Sequence, residues 1–155
     1  MTRKTERSSR ARSLARRLVL QALYQWQMTG QSSAELLNQF AQDEGYPEVD
    51  AEYFLELLRG VTGQAEALDA ILGELIDRPV AQLDPIEHAV LLIGVCELQQ
   101  RLETPFRVVI NEGVELAKKF GATDGHKFVN AVLDRAARNL RAAEHAATPA
   151  RSARG

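Results

Sequence analysis

Asp84-Pro85-Ile86-Glu87-His88-Ala89-Val90-Leu91-Leu92-Ile93-Gly94-Val95-Cys96 is the stretch that decides the fold. It opens as a helix opens. Asp84 can cap the first turn, Pro85 suits the first helical position because its missing N–H would be unpaired there anyway, and Glu87 stands at the capping-box position. From Ala89 to Cys96 no polar face interrupts the run. A helix that is apolar nearly all round must be enclosed by other elements. It is therefore expected to be the buried central helix of an all-α domain.

Working outward, apolar residues recur at helical spacing and no strand pattern appears. Ala15, Leu18, Val19, Ala22, Leu23 and Trp26 form one stripe, which Gly30 ends. Ser32 or Ser33 can cap a second helix carrying Leu36, Leu37, Phe40 and Ala41, broken by Gly45 and Pro47. Asp50 caps a long third segment from Tyr53 to Ile76, which Gly60 and Gly63 can bend or split. Arg78-Pro79 reads as a connector, with one helical turn through Val80 and Leu83. Thr104-Pro105 opens a helix with Phe106, Val109, Ile110, Gly113, Val114, Ala117 and Phe120 on one side, and Gly121 suits its C′ position. Thr123 is expected to cap the last helix, with Val129, Val132, Leu133, Ala136 and Leu140 facing inward. The expected layout is a basic flexible arm over 1–9, a single helical domain over 10–142 and a disordered tail over 143–155.

The chain has 155 residues, 45% apolar and 26% charged, which is the composition of one globular domain. Its net charge is −2, but residues 1–17 hold seven basic side chains and one acid. A mildly acidic body with a basic end suggests a polyanion engaged locally, against the plainer reading of a solvated terminus. The single cysteine, Cys96, excludes an internal disulfide and fits a reducing cytoplasm. No apolar run approaches the roughly 20 residues that span a bilayer. His88, His126 and His145 are far apart, and there is no zinc-site pattern or glycine-rich phosphate loop. Cys96 has no electropositive neighbours in sequence and reads as a structural thiol. No catalytic residue, metal or cofactor is expected.

Two places carry charge beside a spare aromatic or polar group. On the last helix, Phe128 lies about 100° from the Val129 stripe and Lys127 nearly opposite it. A basic residue beside a rim aromatic offers RNA both charge and a stacking face, although packing against another helix is the commoner use of such a ring. On the first helix, Arg12 and Arg16 are one turn apart with Arg17 adjacent, a spacing that can span phosphates. Tyr24 falls outside the inward stripe. Glu87 reads as a capping acid that also faces solvent, where a basic partner could pair with it.

Three ordered segments then carry a resemblance: Leu20-Gln21-Ala22-Leu23-Tyr24-Gln25-Trp26-Gln27, Asn111-Glu112-Gly113-Val114-Glu115-Leu116-Ala117-Lys118-Lys119-Phe120-Gly121, and His126-Lys127-Phe128-Val129-Asn130-Ala131-Val132-Leu133-Asp134. Over about residues 10–140 the chain resembles the bacterial transcription antitermination factor NusB family. The resemblance implies about seven helices in two small packed bundles and a function without catalysis. It implies pairing with the ribosomal protein NusE and binding of boxA RNA, which nucleates an antitermination complex on RNA polymerase, notably on ribosomal RNA transcripts. It also leaves open a homodimer that hides the RNA surface. Carried over by position, Arg12 and Arg16 match the arginine-rich start, Lys127 and Phe128 the RNA-contacting pair, Asp124 a position that tunes RNA affinity, and Tyr24 and Glu87 the side facing NusE. Ser13 and Leu14 depart from the arginine run of some members; Arg3, Lys4, Arg7 and Arg10 can compensate.

Overall fold

The computed structural model describes residues 2–147, with side chains from Ser8 onward. Regular structure among the described residues is entirely helical: α1 Thr2–Thr29, α2 Ser33–Phe40, α3 Ala51–Gly63, α4 Ala65–Gly73, α5 Pro85–Gln100, α6 Phe106–Phe120, α7 Gly125–Leu140 and α8 Ala142–Ala147. Short 3₁₀ turns lie at Tyr46–Glu48 and Val80–Gln82. As its sequence requires, α5 is buried continuously from Ala89 to Leu98. Helices α1, α3 and α4 pack on it from one direction and α6 and α7 from the other. The result is two small bundles that share α5.

Local signals set the boundaries. Ser32 and Glu35 form a reciprocal capping box on α2, and Asp50 accepts from the Tyr53 N–H at the start of α3. Gly30 ends α1 in the left-handed region, φ +71°, where a side chain would be strained. Where α5 meets α7 the constraint is space. A Cβ on Gly94 would stand 2.6 Å from Leu133, and one on Gly113 of α6 would stand 2.8 Å from the same side chain. Leu133 is fully buried, so it cannot swing clear.

Several boundaries differ from the sequence reading. The long third segment breaks at Gln64, one residue past Gly63, into α3 and α4. Thr123 does not cap α7; Asp124 holds that position at φ 68° and makes no side-chain cap bond. Gly121 has an ordinary φ of −92°; its need is room, since a Cβ there would lie 2.8 Å from the Ala117 carbonyl oxygen. The stretch expected as a flexible arm, 1–9, is helical from Thr2, because no glycine or proline interrupts the chain before Gly30. The side chains of Arg3, Lys4 and Arg7 lie outside the described residues.

The expected tail also begins differently. Residues 142–147 form α8, and 148–155 lie outside the described residues. Arg141, just before α8, is buried. Its guanidinium donates to the carbonyls of Leu98 at 2.7 Å, Arg101 at 2.9 Å, Thr104 at 3.0 Å and Glu97 at 3.2 Å. It thus supplies a donor to the Leu98 and Thr104 carbonyls and a second one to those of Glu97 and Arg101, which the N–H groups of Arg101 and Thr104 already reach. Glu144 accepts from Arg141 at 2.6 Å and from the Phe106 N–H at 3.0 Å, while His145 stacks on Phe106. A cation at a helix C-terminus and an acid at a helix N-terminus both suit the local dipole.

Arg141→Ala should leave the Leu98 and Thr104 carbonyls without a donor and destabilise the fold by at least about 2 kcal/mol. Urea denaturation followed by circular dichroism measures it. Stability close to that of the unsubstituted chain would mean water replaces the guanidinium freely.

Candidate nucleic-acid interface

The basic face of α1 is built over a buried ionic cluster. Arg16 is only 3% exposed. Its Nε donates to both Glu97 oxygens, at 2.9 and 3.0 Å, and its Nη1 lies 3.2 Å from Glu112. The Tyr53 hydroxyl donates to the same Glu97 carboxylate. Guanidinium carbons of Arg12, Arg101 and Arg16 stand 4.5, 4.7 and 5.4 Å from the centre of the Tyr53 ring. Burial alone would weaken the Arg16 charge, but the hydrogen bonds and charge of Glu97 prevail and hold its pKa above the ordinary value. Tyr53 is pushed upward by burial and then by Glu97, so its hydroxyl stays a donor.

This corrects the expectation for Arg16. Its side chain is turned into the interior. Glu97 lies in the continuously buried stretch of α5, among apolar residues, and a buried carboxylate demands a counter-charge. Arg16 meets that demand and fixes the rotation of α1 about its axis. Arg12 is half-exposed, with Asp50 at 3.7 Å and Glu103 at 3.9 Å. Arg17 is exposed, its guanidinium 5.2 Å from the Phe120 ring centre. It lines a cleft between α1 and α6 with Arg10, Ser13 and Leu14, and Lys119, Glu112 and Glu115 stand on the opposing wall. Arg10 was expected only as a compensating residue of the arm, and Lys119 is a member that sequence reading did not assign; helical phase relative to the Phe120 stripe was the only signal for it.

The second basic place is the start of α7. Lys127 is well exposed and pairs with Asp124 at 3.3 Å. Phe128 is half-buried against the core, at the rim its helical angle predicts. Over its ring, 4.5 Å from the centre, lies the guanidinium of Arg78. Glu87 is not the solvent-facing acid expected, being 8% exposed. Asp84 alone caps α5, accepting from Ile86 N–H at 3.3 Å. Glu87 lies against the first residue of α7, where a Cβ in place of Gly125 would collide with its carboxylate. Burial raises its pKa, the charge of Asp84 adds to this, and Arg78 opposes it.

Tyr24 is 41% exposed, with Met28 exposed one turn further on. One turn after Tyr24, Gln27 donates to the Pro85 carbonyl at 3.2 Å, which brings this part of α1 beside the start of α5. A cavity there is lined by Trp26, Gln27, Ala65, Leu92 and the His88–Asp69 pair, 2.6 Å apart. Cys96 is buried and its thiol is pushed up to about 12, by burial and then by Glu97; it is not a nucleophile at neutral pH. Among the described residues, no group of three His, Cys, Asp or Glu could hold a metal ion, and no helix is long and apolar enough to cross a membrane.

With this geometry in view, comparison with known proteins is specific. A family model described as the NusB family matches residues 13–138. The transcription antitermination protein NusB of Marinomonas sp. (strain MWYL1) is 53% identical over 149 residues, covering 94% of this chain and 86% of that protein. The same protein of Alcanivorax borkumensis is 52% identical over 134 residues, covering 86% and 89%. Among solved structures, T. maritima NusB superposes with a TM-score of 0.75 at 26% identity, covering 82% of this chain and 90% of that one. A chain in the crystal structure of antitermination factors NusB and NusE in complex with dsRNA gives 0.74 at 29% identity, covering 82% and 96%.

The cluster predicts a sharp contrast between neighbouring arginines. Arg16→Ala should cost about 3–5 kcal/mol of stability, because it strands a buried carboxylate. Arg17→Ala should stay within about 0.5 kcal/mol of the unsubstituted chain. Urea titrations of the two variants side by side check this, and equal losses would contradict the assignment of Arg16 to the interior.

Proposed function

This chain belongs to the NusB family, and we infer that it is an RNA-binding transcription antitermination factor that acts without catalysis. In this reading it pairs with a NusE-type ribosomal protein and binds boxA RNA in nascent transcripts, ribosomal RNA above all. The pair then nucleates an antitermination complex on RNA polymerase in the bacterial cytoplasm. The observation that carries the reading is the start of α7, where an exposed lysine adjoins an aromatic ring that its own core does not fully cover. A relative's chain in complex with NusE and dsRNA supports the choice of partners.

The roles follow from exposure. Lys127, Arg12 and Arg17 supply salt-sensitive attraction to phosphates. Phe128 stacks on an unpaired base. Asp124 moderates the site, because its carboxylate competes with RNA for the Lys127 ammonium. Arg16 serves by positioning α1. Exposed Tyr24 offers the partner an aromatic surface and a hydroxyl, and Glu87, largely buried in the first turn of α5, offers it a carboxylate edge. A homodimer through the same basic surface would compete with RNA and hold the factor in reserve.

Fluorescence anisotropy of labelled boxA RNA and a scrambled control, with and without the NusE partner, tests the reading. Selective binding that tightens with the partner is expected; equal, weak binding to both RNAs would leave a protein-interaction module instead. Phe128→Ala should weaken boxA binding by about 1–3 kcal/mol, and an unaltered affinity would remove the stacking role. Asp124→Asn keeps a residue type that tolerates the left-handed backbone and removes the competing charge. It should therefore bind RNA more tightly and with a steeper salt dependence. A matching loss of affinity would show that Lys127 depends on Asp124 for its position.

A further inference from the structure

The loop after α4, residues 74–79, is far from α7 in sequence but lies directly on it. Arg135 of α7 donates to the Leu75 carbonyl at 2.8 Å. Three residues further on, the guanidinium of Arg78 reaches the Phe128 ring. Arg78 is exposed, so one side of its guanidinium meets the ring and the rest meets solvent.

Like Arg17 on α1, which meets only the Phe120 ring, Arg78 is engaged by little else. Lys127 is held by Asp124, Arg12 by Asp50 and Glu103, and Arg16 by Glu97 and Glu112. Among the described residues Arg78 forms no hydrogen bond and no ion pair within 4.0 Å; its close contact is with the ring. The charge of Arg78 reaches Glu87, lowering its pKa against the effect of burial. Glu87 therefore attracts the guanidinium toward α7 without occupying its donors. An arginine so placed keeps its N–H groups available and presents a planar, weakly hydrated cation, a surface on which bases stack as they do on aromatic rings.

We infer that Arg78 is a further RNA-contacting residue. With Phe128 it makes one composite platform at the start of α7. An unpaired base stacks on the guanidinium or slides beside it onto the ring, and the free N–H groups meet the adjoining phosphate. The platform draws its two halves from separate elements, so it exists only when the loop is docked on α7. The inference rests on the RNA reading of the α7 site and extends it to a residue outside that helix.

The experiment is a salt series of anisotropy titrations with labelled boxA RNA and a scrambled control, using the unsubstituted chain, Arg78→Ala and Arg78→Lys. Arg78→Ala should weaken boxA binding about tenfold, the loss of one stacked base, and lower the log–log salt slope by about one phosphate contact. Arg78→Lys should restore the slope but only part of the affinity, since an ammonium has charge without a stacking plane. Melting curves of the variants should match, because the side chain is exposed and bonds to no backbone. An unchanged affinity in Arg78→Ala would overturn the inference, and a tighter one would show Arg78 to be a cover over the ring. If the unsubstituted chain fails to distinguish boxA from the control, the RNA reading itself falls and takes this one with it.

Discussion

The structure depends on one buried acid. Glu97 stands near the end of α5, in the stretch buried without a break from Ala89 to Leu98 whose other residues are all apolar, and it is sealed from water. Left alone, it would take up a proton or force the helix outward. Instead Arg16 and Tyr53 reach it from α1 and α3. An ion pair in the interior is not in itself evidence of stability, because desolvating both charges can offset their attraction. What it supplies is register. An apolar α1 stripe could slide or rotate against α5 at small cost, whereas a guanidinium that must meet one carboxylate cannot. The rings and cations around Tyr53 then fix the first half of α1 against α3 and the α5–α6 corner.

That constraint decides which arginines remain for a partner. With Arg16 turned inward, helical geometry puts Arg17 on the other side of α1, over Phe120 and facing Lys119 across the cleft. The basic surface is therefore a groove between α1 and α6 and not a stripe along α1 alone. The acids on its wall, Glu112 and Glu115, keep it from becoming an indiscriminate polyanion trap. Glu112 is partly engaged by Arg16, so the interior cluster also weakens the repulsion felt at the surface.

Much of the architecture was legible because it is local. The apolar run 89–96, the Asp50 and Ser32 caps and the Gly30 stop each fix an element within a few residues. The site was legible where a side chain's role follows from its own helix, as for the rim position of Phe128 and the outward Tyr24. It was not legible where the deciding partner is distant. Arg16 and Arg17 are adjacent and chemically identical, and only Glu97, 81 positions away from Arg16, separates their roles. Arg141 stands at the edge of the expected domain with no local signal of a role; its purpose appears only when the carbonyls at the end of α5 and in the loop beyond arrive beside it. Glu87 had a complete local explanation in the capping box, yet packing against Gly125 overrode it. Arg78 read as a connector for the same reason.

The two acids of α5 suggest why the helix is built this way. Glu87 lies at its start against α7, and Glu97 lies ten residues later against α1. At a rise of 1.5 Å per residue these points are about 15 Å apart along one rigid rod. Each acid orients the segment that bears exposed basic groups: α1 at one end, the start of α7 at the other. At Glu87 the positive end of the α7 dipole should favour the ionised form, yet the pKa is raised, so burial outweighs the dipole there. The carboxylate is thus held under mild electrostatic cost, next to a cation that can approach it. A single-stranded RNA lying across both segments would meet charge at a spacing set by the core of the protein and not by flexible surface side chains. Rigid spacing lowers the ordering cost of binding, which is how a chain of net charge −2 can still present a defined surface to a polyanion.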